Sequence, residues 1–307
     1  MGRYVVRRLL QMILVLFGAS LILFVSLFVV PGDPIGTAAG ERARDPAVRV
    51  VLEKRFGLDK PIPVQYVRYV GRVLRGDLGE SFRQRRPVSE ILRSRFGATA
   101  QLALAAIAFE ILIGLIAGLV AAVFRYSFWD VAVTLTTTLA IGIPTYVSGS
   151  ILQGIFAQKF GWFPRSGRTG LSSIILPAFT LASVDAALVA RLMRGTMLEA
   201  LRADYVRTAF AKGLSKRTVI LKHVVRNSVI PVVTYLGIAF GGLLGGALIT
   251  EAIFNWPGIG LALATAITAQ GNPIIVAVVT YGVAAFVLVN LVVDLTYAYL
   301  DPRIRLE

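Results

Sequence analysis

The sequence predicts an all-α polytopic membrane protein with six transmembrane helices and a small helical cap outside the membrane. Three observations predict it. Of 307 residues, 56% are hydrophobic and the mean hydropathy is +0.73, above the roughly 45–50% apolar content of ordinary soluble domains. The apolar excess is gathered into blocks of roughly 20 residues or more, the length a helix needs to cross the hydrocarbon core. Lys and Arg stand between those blocks, where a membrane protein places them.

The blocks cover 9–30, 99–124, 130–158, 172–194, 228–252 and 274–300. The first follows Arg3, Arg7 and Arg8, as a signal peptide would. Its apolar run is longer than a signal peptide's roughly 7–15 residues, and "VVPGDP" after it is a poor cleavage site, so it reads as a span. Six spans put both termini on one side. That side holds 15 Lys or Arg, nine of them between Arg191 and Arg226, and the two short loops opposite (159–171 and 253–273) hold three. The positive-inside rule places the termini in the cytoplasm. The loop 31–98 carries 14 more basic residues, but it exceeds the length of about 60 residues up to which loop charge sets orientation. The organisation is then 1–30 N-terminus and first span, 31–98 extracytoplasmic helical loop, 99–300 five-helix core with a cytoplasmic loop at 195–227, and 301–307 tail.

The outer loop reads as folded. Asp45 and Pro46 fit an N-cap and first helical position, and Gly57 fits a stop. Val48, Val51, Leu52, Arg55 and Phe56 between them repeat at helical spacing. "PVQYVRYVGRVL" (63–74) and "PVSEILRSRF" (87–96) give a second and a third amphipathic pattern.

Within the spans, Gly237, Gly241 and Gly245 are four apart, as are Gly242 and Gly246, and Gly114 and Gly118. Such spacing lets helix backbones approach closely, within one bundle or against a second subunit. Pro144 falls mid-span and Pro177 early in span four, and both predict kinks. Glu110 and Asp185 sit inside spans and Asp294 near the end of span six. Intramembrane carboxylates face protein or water. They read either as a proton relay or substrate contact, or as internal hydrogen bonds between helices.

The chain carries no cysteine, which excludes thiol catalysis, disulfides and Cys-ligated metal. Gly-Lys does not occur, so there is no Walker A loop and no ATP site of that kind. The lone His223 has no metal-binding context. No catalytic set and no metal site is expected. The net charge of +15 fits anionic lipid or acidic protein surfaces better than nucleic acid, because of where the charges lie.

The stretch 202–231, "RADYVRTAFAKGLSKRTVILKHVVRNSVIP", lies between spans four and five. Asp204 can cap a helix on which Val206, Ala209, Phe210, Gly213 and Leu214 share a face. Gly213 offers a stop, and Ser215 caps a second helix. Two short angled helices result, either docking a protein partner or lying on anionic lipid.

"DYVRTAFAKGL" (204–214) and "HVVRNSVIP" (223–231) resemble the cytoplasmic EAA loop of ABC importer permeases. The resemblance is to the dipeptide/oligopeptide branch, the B-type inner-membrane subunits of binding-protein-dependent transport. "VVPGDP" (29–34), "RGDLGESF" (75–82), "TEAIFNWPGIG" (250–260) and "LDPRIR" (300–305) look like the same family, in order along nearly the whole chain. Against the general E-A-A-x-x-x-G pattern, Arg207 stands at the Glu position and Thr208 at the first Ala, while Ala209 and Gly213 match. Phe210 stands where Arg is common in the branch.

The resemblance implies a type I ABC importer permease fold in a bacterial inner membrane. It implies that Asp204, Arg207, Thr208, Ala209, Phe210, Lys212, Gly213 and Leu214 dock a separate ATPase. Two ATP-binding subunits, which hold ATP and Mg, a second homologous permease and an extracytoplasmic substrate-binding protein would complete the machine. This chain binds no cofactor of its own. Peptides are the implied solute, with nickel or glutathione as alternatives. A proton-coupled secondary transporter using Glu110, Asp185 or Asp294 and a non-transporting membrane scaffold are the rival classes.

Overall fold

A computed structural model describes residues 2–25, 36, 45–56, 60–81, 84, 86–244, 247–268 and 272–300. The "VVPGDP" stretch, Gly57, Gly245, Gly246, the tail with Arg303 and Arg305, and the side chains of Leu52, Arg55, Phe56 and Asp294 lie outside the described residues. In chain order the helices are α1 (Gly2–Phe24), α2 (Pro46–Phe56), α3 (Ile62–Leu74), α4 (Val88–Val123), α5 (Phe128–Gly142), α6 (Thr145–Lys159), α7 (Ser172–Ala200), α8 (Asp204–Ala211), α9 (Lys216–Leu244), α10 (Leu248–Ile253), α11 (Ile259–Thr268) and α12 (Asn272–Leu300). Between α3 and α4 lies an antiparallel pair of two-residue strands, β1 (Glu80–Ser81) and β2 (Arg86–Pro87), the described part of a chain otherwise built on helices.

Among the described residues five helical stretches are long and apolar enough to span a membrane: Val6–Phe24, Val88–Val123, Ser172–Ala200, Lys216–Leu244 and Ile274–Val292. A sixth span exists if α5 and α6, bent by 105° at their junction, are counted as one. The bend falls at Pro144, which precedes α6 with φ −57° and ψ 138°. The fixed ring removes a backbone donor and holds the residue outside the helix. A broken pair thus replaces the kinked span expected over 130–158.

Three other boundaries differ from the sequence reading. The amphipathic pattern at 87–96 is not a separate cap helix. It forms the first turns of α4, because nothing between Val88 and Val123 breaks the helix and Val88, Ile91 and Leu92 are buried. The second short helix expected after Ser215 is the start of α9, which runs unbroken through Val219, Ile220 and Val224, all buried. Span five accordingly begins near Lys216 rather than at 228, and α10 is separate from it. Pro177 sits within α7 without interrupting it.

The described residues form two compact units. One comprises Met1–Ala100, Leu244–Ala252 and Pro257–Glu307. In it α1 packs along α12 and against α3, where Ser20 Oγ meets the Tyr66 hydroxyl at 2.8 Å and Phe24 meets the Tyr66 ring edge-on. Asp45 caps α2 through its bond from the Ala47 N–H, 2.9 Å. Val88, Ile91 and Leu92 pack with Ile259, Ala262 and Ala266 of α11 and Ile274, Ala277 and Val278 of α12.

The other unit comprises Gln101–Leu243 and Ile253–Trp256, with α7 packed against α4, α5 and α6. A Cβ placed on Gly118 would lie 2.6 Å from the Ala190 carbonyl oxygen, and one on Gly114 would lie 2.5 Å from Val189 Cγ1. These glycines are what lets α4 and α7 touch, as small-residue spacing does in membranes. Gly241 is buried, whereas a Cβ on Gly242 would meet open space.

Candidate coupling surface and intramembrane polar sites

Between α7 and α9 the chain leaves the apolar helices for α8 and one tight turn. Gly213 adopts φ +78°, its N–H donates to the Phe210 carbonyl at 2.9 Å, and the Leu214 N–H donates to the Ala209 carbonyl at 3.3 Å. This paired closure is the Schellman motif, which needs a left-handed residue at the position Gly213 fills. Ser215 Oγ then accepts from the Thr218 N–H at 3.4 Å and starts α9.

The structure divides the α8 residues into two sets. Val206 (2% exposed) and Ala209 (7%) are buried with Met197 of α7 and Val219, Ile220 and Val224 of α9. Asp204, Arg207, Thr208, Phe210, Lys212, Gly213 and Leu214 are exposed. The single face expected to carry Ala209 and Phe210 together is therefore split. Ala209 anchors α8 to its own chain, and Phe210 (45% exposed) presents its ring outward beside Tyr205 and Leu214. Arg207 and Asp204 form a loose, exposed ion pair at 3.6 Å, and Thr208 Oγ1 donates to the Asp204 carbonyl at 3.0 Å.

Glu110 opens a π-turn (Glu110–Gly114) in α4 and is fully buried, with neither carboxyl oxygen hydrogen-bonded. Asp185 of α7 accepts a hydrogen bond from the Tyr235 hydroxyl of α9. Glu110 and Asp185 lie near enough to interact electrostatically. Arg191 of α7 turns to α5, its Nη2 donating to Thr138 Oγ1 at 2.6 Å.

Two polar sites went unrecognised in the sequence. Arg194 of α7 grips Asp130 of α5 with two parallel bonds, Nε to Oδ1 at 2.7 Å and Nη2 to Oδ2 at 2.9 Å. Glu251 of α10 is fully buried and fully bonded. Its Oε1 accepts from Thr99 Oγ1 at 2.8 Å and its Oε2 from the Leu261 N–H at 2.9 Å, while Thr99 Oγ1 accepts from the Ile259 N–H at 2.8 Å. Glu251 and Thr99 thereby occupy the N-terminus of α11, where unpaired N–H groups favour an acceptor. A Cβ on Gly258 would run into the Glu251 carboxyl, and one on Gly260 into the Leu248 backbone. The glycine spacing of "WPGIG" was the readable trace of this site. Among the described residues no group of three or more His, Cys, Asp or Glu is placed to hold a metal.

The model of the family described as "Binding-protein-dependent transport system inner membrane component" matches residues 111–306, and that of its N-terminal part matches residues 1–103. The chain is 41% identical over 306 residues to the glutathione transport system permease protein GsiC of Salmonella paratyphi A, covering 99% of each. It is 39% identical, at the same coverage, to the protein of that name from Escherichia coli K12. Among solved structures, an inward-facing form of the MetNI methionine ABC transporter superposes with a TM-score of 0.55 at 17% identity, over 69% of this chain and 96% of that one, a likeness of fold alone. Long apolar helices, two family matches that together cover nearly the whole chain and relatives matched over 99% of their length agree. The chain belongs to the inner-membrane components of binding-protein-dependent transport systems, as a permease subunit of an ABC importer.

Proposed function

We propose that this chain carries small peptides, glutathione among them, across the bacterial inner membrane by alternating access, driven by separate ATPase subunits. The observation that carries the substrate class is the 41% identity over 99% of both chains to a permease named for glutathione transport. Glutathione and short peptides share amide bonds and charged termini, so one pathway suits both. Two ATP-binding subunits, with ATP and Mg, supply the energy. A second homologous permease completes the pathway, an extracytoplasmic binding protein delivers solute, and both termini face the cytoplasm.

The coupling contact in this reading is the exposed set on α8 and its turn: Tyr205, Arg207, Phe210, Lys212 and Leu214. An apolar ring rimmed by bases suits a pocket with an acidic edge. Val206 and Ala209 hold that surface to α7 and α9, so a push on α8 reaches the spans through packed side chains.

The test is uptake by proteoliposomes holding the complete complex and its binding protein. Labelled glutathione and labelled di- and tripeptides should accumulate only with ATP and binding protein present. Nickel uptake without peptide uptake would assign the metal instead. Accumulation that persists without ATP and collapses with the proton gradient would replace this reading with a secondary transporter.

A further inference from the structure

The turn joining α4 to α5 exposes four aromatic rings within six residues. Tyr126 is 79% exposed, Phe128 76% and Trp129 58%, and Phe124 is exposed as well. Water is a poor environment for such rings, and no other part of the described chain covers them. The turn lies where two apolar helices end, the level at which amphipathic rings settle between headgroups and acyl chains.

This turn is built rather than slack. Tyr126 holds a left-handed conformation, φ 64°, which a non-glycine residue keeps only when its surroundings enforce it. The enforcing contact is the Tyr126 N–H donating to Asp130 Oδ2 at 3.0 Å, with the same carboxylate gripped by Arg194 from α7. The guanidinium carbon of Arg125 sits 4.2 Å from the centroid of the Tyr126 ring. Stacking on a ring face leaves the N–H edges of the guanidinium free to bind an oxyanion, and lowers the entropy lost in doing so. The Asp130 carboxylate is held by two bonds from Arg194, and the exposed Arg125 acts on it only through its charge, forming no ion pair among the described residues.

We infer that Arg125, stacked on Tyr126 and flanked by Phe124, Phe128 and Trp129, is a binding site for the headgroup of an anionic phospholipid. The guanidinium takes the phosphate and the rings take the glycerol and upper acyl region. Free phosphate would use the arginine but not the rings, and a zwitterionic lipid would use the rings but gain little from the charge. With Arg194 of α7 counted, the charges gathered at this turn (Arg125, Asp130 and Arg194) leave one net positive charge, which favours the anionic lipid.

The experiment uses the complete complex in nanodiscs of phosphatidylcholine doped with a photoactivatable phosphatidylglycerol or, separately, a photoactivatable phosphatidylcholine, each with its reactive group near the glycerol. Adducts are mapped by peptide mass spectrometry. Residues 124–130 should take about fivefold more label from the phosphatidylglycerol probe than from the phosphatidylcholine probe, the scale of one basic side chain at an anionic surface. Arg125→Gln should bring that label down to the phosphatidylcholine level and leave phosphatidylcholine labelling unchanged, which shows the turn still folded. Arg125→Lys, which keeps the charge but loses the planar fork, should fall between. Equal labelling by both lipids in the wild type overturns the proposal, as does full labelling of Arg125→Gln. Labelling by neither lipid also overturns it, since protein then covers the rings. Displacement of the label by excess inorganic phosphate would assign the site to the free anion and overturn it too. None of these outcomes depends on which solute the importer carries.

Discussion

A methyl group on Gly118 would press into the Ala190 carbonyl at 2.6 Å, while one on Gly242 would meet nothing within 4 Å. Both glycines belong to four-residue spacings that look alike in the sequence. Gly118→Ala should therefore lower thermal stability by about 1–3 kcal/mol through overpacking, and Gly242→Ala should leave it near wild type. Fluorescence-detected size-exclusion melting of the two purified variants separates them, and equal melting would contradict the packing described. Thr99 is a second informative residue, because one hydroxyl both donates to Glu251 and accepts from Ile259. Thr99→Val keeps the shape and removes both bonds, leaving a buried carboxylate oxygen and a backbone N–H short of a partner. A loss of about 1–3 kcal/mol is expected, read in the same assay, and an unchanged melting point would mean that water or another group replaces the hydroxyl. At this scale the sequence told that glycines were needed, and not which neighbours needed them. Glu251 went unmarked because its partners lie 152 residues away or on the backbone.

The helix α8 and its turn show how much of an element can be read locally. Asp204, expected as the cap of α8, is instead its first helical residue, with Ala203 at the N-cap and no side-chain capping bond. Gly213 at the stop and Ser215 as the next cap act through neighbours within five residues, and both were legible. The side of α8 that faces inward was not. Helical spacing puts Val206, Ala209 and Phe210 on adjoining positions, but only the positions of α7 and α9 decide that Ala209 is covered and Phe210 is not. The expected mutational pattern changes accordingly. Ala209→Asp puts a charge into the chain's own core and should reduce the amount of folded subunit, rather than selectively releasing the ATPase. Phe210→Ala should leave folding intact and weaken co-purification of the ATPase by about 2 kcal/mol if the ring is an interface anchor; undiminished recovery would remove it from the contact. Gly213→Pro forces φ to about −65° where +78° is required and deletes the N–H bonded to Phe210. That subunit should reach the membrane and fail to support uptake, and normal uptake by it would exclude the turn from coupling.

For the whole molecule, the absence of cysteine makes the orientation directly testable. Single-cysteine variants Lys212→Cys and Arg168→Cys replace exposed residues in the loops on opposite sides of the proposed topology. In intact spheroplasts an impermeant maleimide should label the second and spare the first, and inside-out vesicles should reverse this. The opposite pattern would invert the topology and move α8 away from any cytoplasmic ATPase. Five of the six expected spans were legible, because hydrophobic length is a property of the chain alone. The break between α5 and α6 was legible only as a proline, since a mid-span proline is compatible both with a modest kink and with the 105° bend found.

Composition, block length and charge placement determined by themselves that this chain is a helical membrane protein. Gly213 and Ser215 determined where α8 stops and where α9 starts. These are local matters, governed by backbone hydrogen bonding and by transfer from water to hydrocarbon. Tertiary structure alone decided which side of α8 is free, that Arg194 grips Asp130 across 64 residues, and that Thr99, Glu251 and the N-terminus of α11 form one network. Those outcomes depend on which helices become neighbours. A buried polar group takes its partner from whatever packing brings within reach, and no periodicity in the chain records that choice.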